Sequence, residues 1–359
     1  MVTIHDVAKR AGVSISTVSN VINKNKFVSA DLVQRVNNAV QELKYSANPI
    51  AQNMKFKRTK TIGVISADLC GLFYPYVLKG MYEVSHSKGY RFVVMDTEGI
   101  NDHIGSIKKL QSGIFSLIQD RVDGIVFSST VPEDLEADII NEAMRSSVKN
   151  TAFVCVEKDL SKFGIDSVYA NSHLGADTAT SHLLDVGCQR IGHITGPYYF
   201  TVAQDRIEGF KNALSRAGIA FDGTRMLANG DYTHKSGYLA MKELLLKMPD
   251  LDGVFSANDQ MAVGALKALS EAGKRVPEDV KVIGYDDVFI ASVLEPSLST
   301  IHVQKYSMGI KAAELLINQI ESNVEYNKHI PSTIELESKL VIRKSTVKNA
   351  PDDWILVDW

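Results

Sequence analysis

The fold of the first part of the chain is decided by residues 3–23, which read TIHDVAKRAGVSISTVSNVIN. Thr3 is placed to cap a helix, because its side chain can accept a hydrogen bond from an unpaired backbone N–H at the helix start. Gly12 ends this helix, since glycine tolerates the left-handed backbone of a helix end. Ser14 then caps a second short helix. Two short helices joined by a glycine-containing turn predict a helix-turn-helix.

A third helix completes this small domain. It follows Ser29 and buries an apolar face formed by Leu32, Val36, Val40 and Leu43. The outward face of the second helix carries small polar side chains, a surface that can enter the major groove of DNA and reach base edges. The alternative interpretation is a three-helix module that binds another protein.

Charge is distributed unevenly along the chain. Residues 1–60 contain ten Lys and Arg against three Asp and Glu, so their formal charge is +7. The formal net charge of the whole chain is −3, so the remaining residues carry −10. A basic N-terminal segment on an acidic body favours binding of a polyanion at one end of the molecule. A solvated basic surface is the alternative, but the helix-turn-helix pattern in the same segment favours DNA.

Composition indicates a globular protein with more than one domain. The chain has 359 residues, of which 45% are hydrophobic and 23% charged. It has no apolar run of about 18 residues that would predict a membrane span, and its start, MVTIHDVAKR, lacks the apolar stretch of a signal peptide. Cys70, Cys155 and Cys188 are far apart, which favours buried thiols in a reducing compartment. We therefore expect a cytoplasmic location.

From residue 61 onward, apolar strands alternate with helices. The strand-like runs are TIGVISA, RFVVMDT, GIVFSS, TAFVCVE, RIGHITG, DGVFSA and VKVIGYDD. Continuous apolar runs are typical of parallel strands buried on both faces, and the alternation predicts sheets covered by helices. These strands are too many for one compact sheet of this type. We predict an all-α helix-turn-helix domain followed by an α/β core of two doubly wound parallel-sheet subdomains.

Polar and aromatic residues follow these strands. Ligands of doubly wound folds bind outside the carboxyl ends of the strands, and a sugar needs paired donors and acceptors beside an aromatic plate. The candidate effector-binding residues are Asp68, Phe73, Tyr74, Ser128, Glu157, Arg206, Tyr232, Asn258, Asp259 and Asp286. Asp259 can instead be a helix N-cap, and Tyr232 a packing residue. Arg206 can instead pair with Asp205 or Glu208 on its own helix.

Motifs for catalysis are absent from the sequence. It contains no GxxxxGK[ST], GxGxxG, GxSxG or HExxH pattern. The nine histidines are scattered without the spacing of metal ligands. We therefore expect binding without turnover, and neither a cofactor nor a metal.

The helix-turn-helix, the segment NPIAQNM at residues 48–54 and the strand TIGVI resemble the lactose/galactose-repressor family of bacterial transcription regulators. The likeness runs from residue 2 to about residue 345. It implies that two copies of the helix-turn-helix read a near-palindromic operator. It also implies a hinge helix that enters the minor groove, where Met54 wedges between base pairs, and a core of periplasmic-binding-protein type. A helix of about two turns is marginal alone in water, so we expect it to form on DNA or a partner copy.

The resemblance assigns DNA contacts position by position. It implies that bases are read by Ile15, Ser16 and Asn20, that phosphates are contacted by Thr3, Ser14, Thr17, Ser19 and Asn23, and that the hinge contributes Asn48 and Met54. Asn20 stands where the family often has Arg. Arg pairs with guanine, whereas Asn prefers adenine. We therefore predict an operator half-site that departs from the common family sequence.

In the core, the resemblance points most strongly to Arg206, Asn258 and Asp286 as residues that hold the effector. Glu157 stands where many sugar-binding members carry Asp, and Ser128 where some carry Asn. The segment CGLFYP also lacks the Asn that commonly precedes the aromatic residues. The sequence therefore leaves the identity of the effector open.

The predicted organisation has four parts. They are the helix-turn-helix at 1–46, a hinge and linker at 47–60, a core at 61–345 and a tail at 346–359. The core divides into an N-subdomain at 61–158 and 291–322 and a C-subdomain at 159–290 and 323–345, with crossings near 159, 290 and 323. The tail has no leucine heptads, so we do not expect a tetramerisation helix. We expect a homodimer.

Together these features predict a sequence-specific transcription regulator. We expect a repressor of a carbohydrate-utilisation operon that a small sugar-like effector controls allosterically from between the subdomains. The expected partners are operator DNA, the effector, a second copy and, as the resemblance implies for some members, a phosphocarrier corepressor protein. A stand-alone sugar-binding transport protein is disfavoured by the basic N-terminal segment, and an enzyme by the missing motifs.

Overall fold

A computed structural model of the chain describes residues 2–23, 26–45, 58–66, 68–97, 103–128, 131–146, 151–322 and 329–351. The chain divides into two units, residues 1–59 and residues 60–359. We call the first unit the head and the second the core. Within the described ranges, no helix is both long and apolar enough to cross a membrane.

The head has the three predicted helices, α1 (Ile4–Ala11), α2 (Ile15–Asn23) and α3 (Ala30–Glu42). Thr3 and Asp6 form a capping box at the start of α1, and Gly12 ends this helix in the left-handed conformation with φ of 64°. Arg35 closes the turn, because its guanidinium donates to the carbonyls of Ala11 and Gly12. The apolar faces of the helices meet in a small hydrophobic cluster of Val7, Ala8, Ala11, Val18, Val36 and Ala39.

The core is built on two parallel sheets, as predicted. Its strands are β1 (Thr61–Ser66), β2 (Arg91–Asp96), β3 (Gly124–Phe127), β4 (Ala152–Val156), β5 (Asp166–Ala170), β6 (Ile191–Thr195), β7 (Leu227–Asn229), β8 (Gly253–Ser256), β9 (Lys281–Ile283), β10 (Thr300–His302), β11 (Thr333–Leu336) and β12 (Lys339–Val341). The sheet of the N-subdomain has the order β11-β5-β4-β3-β1-β2, and that of the C-subdomain β7-β6-β8-β9. Strands β10 and β12 form a separate antiparallel pair.

Helices cover both sheets. They are α4 (Tyr74–Ser87), α5 (His103–Gln119), α6 (Glu133–Ser146), α7 (Ser172–Asp185), α8 (Thr201–Arg216), α9 (Gly223–Met226), α10 (His234–Lys247), α11 (Asp259–Glu271), α12 (Phe289–Val293) and α13 (Lys305–Ser322), with a 3-10 turn at Ser161–Phe163. Helices α4 and α13 approach so closely that a Cβ at Gly309 would lie 1.9 Å from the carbonyl oxygen of Val77. Glycine is therefore required at this crossing.

The chain crosses between the subdomains later than predicted at all three places. Strand β5 pairs with β4 in the N-subdomain sheet, so the first crossing follows residue 170 and not residue 159. Strand β10 and the residue before it are bridged to the C-subdomain, from His302 to Asp286 and from Ser299 to Ile283, which moves the second crossing from 290 to beyond residue 302.

The third crossing follows β11, which pairs with β5 and so belongs to the N-subdomain. Residue 323, where this crossing was predicted, lies outside the described residues. The physical reason is that a local sequence pattern predicts a strand but not the sheet that the strand joins. Strand β11 pairs with β5, which is distant in sequence, and even β5, which pairs with the nearby β4, carries no local sign of that pairing.

The core also extends past residue 345, where its end was predicted. Thr346 is 2% exposed and hydrogen-bonds to Ser299 over 2.6 Å, and Ala350 is buried. The packed part of the chain therefore reaches residue 350. Both tryptophans of the predicted tail lie outside the described residues.

Candidate DNA-reading face and effector cleft

The outward face of α2 carries the residues predicted to read bases. Ile15 is 41% exposed, Ser16 is exposed beside it, and Asn20 lies one turn later and is half-buried. Val18, on the inward side of the helix, is completely buried. The face therefore presents one apolar group together with polar groups, a mixture suited to thymine methyls and to the hydrogen-bonding edges of bases.

Two of the predicted phosphate contacts are helix caps in this structure. The backbone N–H of Thr17 donates to Ser14 Oγ over 3.1 Å, and the Ser16 hydroxyl lies 2.7 Å from the same oxygen. Thr3 Oγ1 donates to the Asp6 carboxylate over 2.7 Å. Hydrogen bonds from the backbone and side chain of Thr3 lower the pKa of Asp6. Helix starts of this kind keep backbone N–H groups directed at solvent, where an anion can bind.

The other predicted DNA contacts are only partly described. Ser19 is half-buried on α2. Asn23 is the last residue of α2, but its side chain is outside the described part of the chain. Asn48 and Met54, and with them the predicted hinge helix, also lie outside the described residues.

Three predicted effector-binding residues meet at the carboxyl ends of β3 and β4. Ser128 directly follows β3, Glu157 directly follows β4, and Tyr74 begins α4. The Tyr74 hydroxyl lies 2.6 Å from Ser128 Oγ, and both hydroxyls donate to Glu157 Oε2. Burial, followed by the charge of Glu157, holds the pKa of Tyr74 well above its ordinary value. Tyr74 therefore keeps its proton and remains a hydrogen-bond donor.

The loop after β1 carries Asp68 and Phe73. Asp68 Oδ1 accepts hydrogen bonds from the backbone N–H groups of Cys70 and Gly71, each over 2.9 Å. This turn leaves Cys70 exposed, so its predicted burial is wrong, whereas the other two cysteines are buried. The Phe73 ring meets Tyr74 edge to face at 5.3 Å. Asp68 thus shapes the loop, and Phe73 supports Tyr74 from the side.

Arg206 is central to the opposite side of the cleft. It is 6% exposed, and its guanidinium lies 3.9 Å from the centroid of the Tyr285 ring. One guanidinium nitrogen donates to the carbonyl of Ala257, and Nη2 lies 3.9 Å from Asp286 Oδ1. Nε is buried and has no hydrogen-bond partner among the described residues. This N–H of Arg206 can form a hydrogen bond only with a partner that the described protein residues do not supply.

One of the two partners that the sequence offers Arg206 on its own helix is otherwise engaged. Glu208 pairs with Lys211 over 2.6 Å, while Arg206 Nη2 lies 3.9 Å from Asp286 Oδ1 on another element. Burial raises the pKa of Asp286 to about 7, although Arg206 and Lys305 favour its charged form.

Asn258 and Tyr232 are joined by a hydrogen bond on the same side of the cleft as Arg206. Asn258 caps α11 by accepting from the N–H of Met261 over 2.9 Å, and its Nδ2 donates to the carbonyl of Tyr232 over 3.0 Å. The Tyr232 ring stacks on Phe200 at 5.9 Å, and its buried hydroxyl has no partner within the described ranges. Burial raises the pKa of Tyr232 to about 12. Asn258 therefore holds the backbone of a tyrosine that has a free hydroxyl.

Asp259 is directed into the protein, which corrects both predictions made for it. It is 1% exposed, and its carboxylate accepts hydrogen bonds from Val288 N over 2.8 Å and from Thr300 Oγ1 over 2.7 Å. The N-cap of α11 is Asn258. Asp259 ties α11 to two neighbouring segments, and we do not retain it as a ligand contact.

A charge on one side of the cleft shifts pKa values on the other side. The charge of Glu157, in the N-subdomain, raises the pKa of Asp286 and of Tyr232 in the C-subdomain. These three residues also share a positive φ, of 74° for Glu157, 68° for Tyr232 and 101° for Asp286. Such backbone strain in non-glycine residues is concentrated at ligand sites. The predicted site residues are therefore held in conformations that the fold must enforce.

Sequence reasoning missed three residues of this site. Tyr285 lies under Arg206, Phe200 stacks on Tyr232, and Gln260 accepts a hydrogen bond from Leu72 N over 3.3 Å. The aromatic residues follow strand ends, which was an available signal. Gln260 had none, because Leu72 is 188 residues away in the sequence.

The chemistry available in the cleft is hydrogen bonding. Its acceptors include two carboxylates, its donors include a buried guanidinium and tyrosine hydroxyls, and aromatic rings line both sides. The described residues contain no group of side chains arranged to hold a metal ion. This combination suits a small, polar, ring-shaped molecule.

Comparisons with known proteins agree with both parts of this architecture. The sequence model of the lacI family of bacterial regulatory proteins matches residues 3–48, and that of the periplasmic binding protein-like domain matches residues 180–346. The ribose operon repressor of Escherichia coli (strain K12) is 37% identical over 323 residues, which cover 89% of this chain and 93% of that protein. The HTH-type transcriptional repressor PurR of Pasteurella multocida (strain Pm70) is 33% identical, covering 96% of this chain and 98% of that protein.

Solved structures give the same result. The lac repressor dimer bound to operator and the anti-inducer ONPF matches with a TM-score of 0.84 and 27% identity, over 96% of this chain and 99% of that one. The complex of the transcriptional regulator CelR with cellobiose matches with a TM-score of 0.68 and 31% identity, over 96% and 100%. These likenesses confirm the resemblance and the fold class that the sequence predicts. The chain belongs to the lacI family of bacterial regulatory proteins and is a DNA-binding transcription regulator.

Proposed function

We propose that this protein represses a carbohydrate-utilisation operon, and that a small sugar-like effector bound between the subdomains controls its affinity for operator DNA. The observation that carries the proposal is the buried Arg206, which faces Asp286 with an unpartnered Nε, opposite the carboxylate of Glu157. Vicinal hydroxyls of a sugar match such paired acceptors and planar donors.

D-Ribose is the first effector to test, because relatives that cover most of this chain are named ribose operon repressors. Glu157 and Asp286 can accept from its hydroxyls, and Arg206 Nε and the Tyr232 hydroxyl can donate to its oxygens. A purine base is the second candidate, since the rings of Phe73 and Tyr74 offer apolar surface to a flat ligand.

Isothermal calorimetry on the full chain separates these candidates. We expect saturable heat with D-ribose and none with L-ribose, which has the same atoms and hydrophobicity in mirror-image arrangement. Binding of hypoxanthine with no binding of either sugar would replace the sugar proposal with the purine one. Equal binding of both ribose enantiomers would also contradict a built sugar site.

For the head, we propose direct base contacts by Ile15, Ser16 and Asn20. Phosphate contacts are assigned to Thr3, Ser14, Thr17, Ser19 and Asn23, and hinge contacts to Asn48 and Met54. The exposure of Ile15, and of Thr3 and Ser14 where they stand at helix starts, supports these assignments.

Selection of bound duplexes from a random pool, followed by titration of the selected duplex, tests the DNA-binding role. We expect a near-palindromic site, and a change of at least about tenfold in its affinity when effector saturates the core, the lower range of ordinary allosteric coupling. A rise or a fall supports coupling. Folded protein that selects no sequence, or DNA affinity that ignores bound effector, contradicts it. Repeating the titration with a phosphocarrier protein tests that further predicted partner.

The proposal includes a homodimer. Strand β2 lies at the edge of the N-subdomain sheet, and Val93 and Val94 on it are each 39% exposed, near Tyr82 at 57%. An apolar edge strand of this kind is normally covered. A second copy on this edge would cover it, and a dimer supplies the two heads that a near-palindromic site requires. Sedimentation equilibrium of the V93E/V94E variant against the wild type tests this.

Asp286 should make effector binding depend on pH. Its raised pKa of about 7 means that the native fold prefers the protonated carboxyl, so its contribution to the free energy of unfolding falls as pH rises from its ordinary 3.8 through about 7. A ligand that donates hydroxyl hydrogens binds the charged form better. We expect D-ribose affinity to increase by up to about tenfold between about pH 6 and about pH 8.

Asp286→Asn is the control for this pH dependence. The variant should bind more weakly, and its affinity should be flat across the same range, as calorimetry at several pH values would show. An unchanged pH profile in the variant would assign the titration to another group.

A further inference from the structure

A buried ammonium lies behind the C-subdomain side of the cleft. Lys305, the first residue of α13, is 3% exposed. Its Nζ donates to three carbonyls, those of Asp286 over 2.5 Å, Asp287 over 3.1 Å and Val303 over 3.1 Å. A cation removed from water needs partners of this kind, so the three carbonyls and the ammonium depend on each other.

The first two carbonyls belong to a strained turn. Asp286 and Asp287 both have positive φ, 101° and 53°, a region that non-glycine residues enter only when the surrounding structure enforces it. The Asp287 carboxylate is fixed from another direction, by Arg343 Nη1 at 2.8 Å and His302 Nδ1 at 2.9 Å. Lys305 therefore holds the backbone of the turn, and Arg343 and His302 hold the Asp287 side chain.

This turn decides the direction of the Asp286 side chain. The N–H of Asp286 donates to the carbonyl of Ile301 over 2.8 Å, and its carboxylate lies 3.9 Å from Arg206 Nη2. Because the direction of Cβ follows from the backbone angles, a turn that relaxed to negative φ would carry the carboxylate away from Arg206. The geometry of the two central polar groups thus depends on an ammonium that lies outside the candidate ligand-contacting set.

Lys305 also joins the two subdomains. It lies just after the second crossing, at the start of the helix that packs against α4 and against the N-subdomain sheet, while the carbonyls that it binds include two of the C-subdomain turn. A rotation of one subdomain against the other therefore has to move Lys305 relative to the turn, or move the turn with it.

We propose that Lys305 is a positioning residue of the effector site: its ammonium holds the Asp286–Asp287 turn so that the Asp286 carboxylate faces Arg206, and it links that turn to α13. The effector part of this inference rests on the proposed function of the cleft. The part that concerns the turn does not, because it can be measured without ligand.

Hydrogen–deuterium exchange of the full, unliganded chain tests the turn. Lys305→Met keeps the length of the side chain and removes its charge and its donors. We expect the backbone amides of Asp286, Asp287 and Val288 to exchange at least tenfold faster in this variant, with the strands of both sheets unchanged. The matched control is Lys311→Met on the same helix, where the lysine is exposed and pairs with Glu314; it should exchange as the wild type does.

Calorimetry with D-ribose tests the effector part. Lys305→Met should weaken binding at least tenfold while thermal unfolding stays cooperative. Lys305→Gln keeps N–H donors without the charge, so its D-ribose affinity should lie between that of Lys305→Met and that of the wild type. If Lys305→Met does not fold, Lys305→Gln replaces it in both measurements.

Two results would distinguish a positioning role of Lys305 from a purely stabilising role, and from the question of which effector binds. A variant with a lower melting temperature but wild-type exchange at the turn and wild-type D-ribose affinity would show that Lys305 only stabilises the fold, which overturns the inference. Failure of the wild type to bind D-ribose would count against the proposed effector alone, and the exchange measurement would still decide the role of Lys305 at the turn.

Discussion

Replacing Arg206 with alanine is expected to weaken D-ribose binding by at least about 100-fold, which is about 2.7 kcal/mol. Arg206 is buried, lies over Tyr285 and has its Nη2 3.9 Å from Asp286 Oδ1. Its removal takes away the unpartnered Nε and leaves Asp286 buried without that cation. The carboxyl should then take up a proton at neutral pH, because its pKa is already raised to about 7, and both polar groups would be lost to the ligand.

Arg216→Ala is the matched control, since Arg216 lies on the same helix but is exposed and pairs with Asp177. It should bind D-ribose like the wild type. Arg206→Lys keeps the charge but lacks the planar fork, so we expect it to remain well below the wild type. Titration calorimetry at one pH measures all three. Affinity of Arg206→Ala within twofold of the wild type would remove Arg206 from the site.

Asn20→Arg is expected to change which base the head prefers, from adenine to guanine at one position of each half-site. Asparagine binds the adenine edge through two hydrogen bonds, and arginine binds the guanine edge in the same way. A matched pair of this kind discriminates by about 1–3 kcal/mol, or roughly 5- to 150-fold. Asn20 lies on the face of α2 that also carries the exposed Ile15 and Ser16, which is the reason for expecting it at a base edge.

The variant also adds a positive charge, which alone strengthens binding to any DNA. Asn38→Arg adds the same charge on the exposed surface of α3 and should raise affinity without changing sequence preference. Parallel selections from one random pool, at one salt concentration, compare the three proteins. If Asn20→Arg and the wild type select the same base at every position, Asn20 does not read bases.

Much of this architecture could be predicted because the relevant forces are local. The capping box of Thr3 and Asp6, the left-handed Gly12 and the apolar spacing of α1 each involve residues within a few positions of one another. Alternation of apolar strands and helices likewise predicted parallel sheets. The rule that ligands lie at the carboxyl ends of strands directed attention to Ser128, Glu157 and Asp286, and the structure has them directly after β3 and β4 and shortly after β9.

The parts that could not be predicted depend on distant partners. Strand β11 joins the N-subdomain sheet by pairing with β5, more than 160 residues earlier, and its own residues are only partly buried. Asp259 follows a strand just as Asn258 does, but its carboxylate is bound by Thr300 and Val288. No local pattern separates a carboxylate that faces a ligand from one that ties two loops together.

The insertion of one subdomain within the other has a consequence for synthesis of the protein. The three helices of the head and their own apolar core are complete once residue 45 has been made, whereas the N-subdomain sheet receives its last strand only at residue 336. Domains generally fold as units as they leave the ribosome. The part that reads DNA is therefore finished long before the part that senses ligand, and premature termination within the core should leave a folded head that no effector can control.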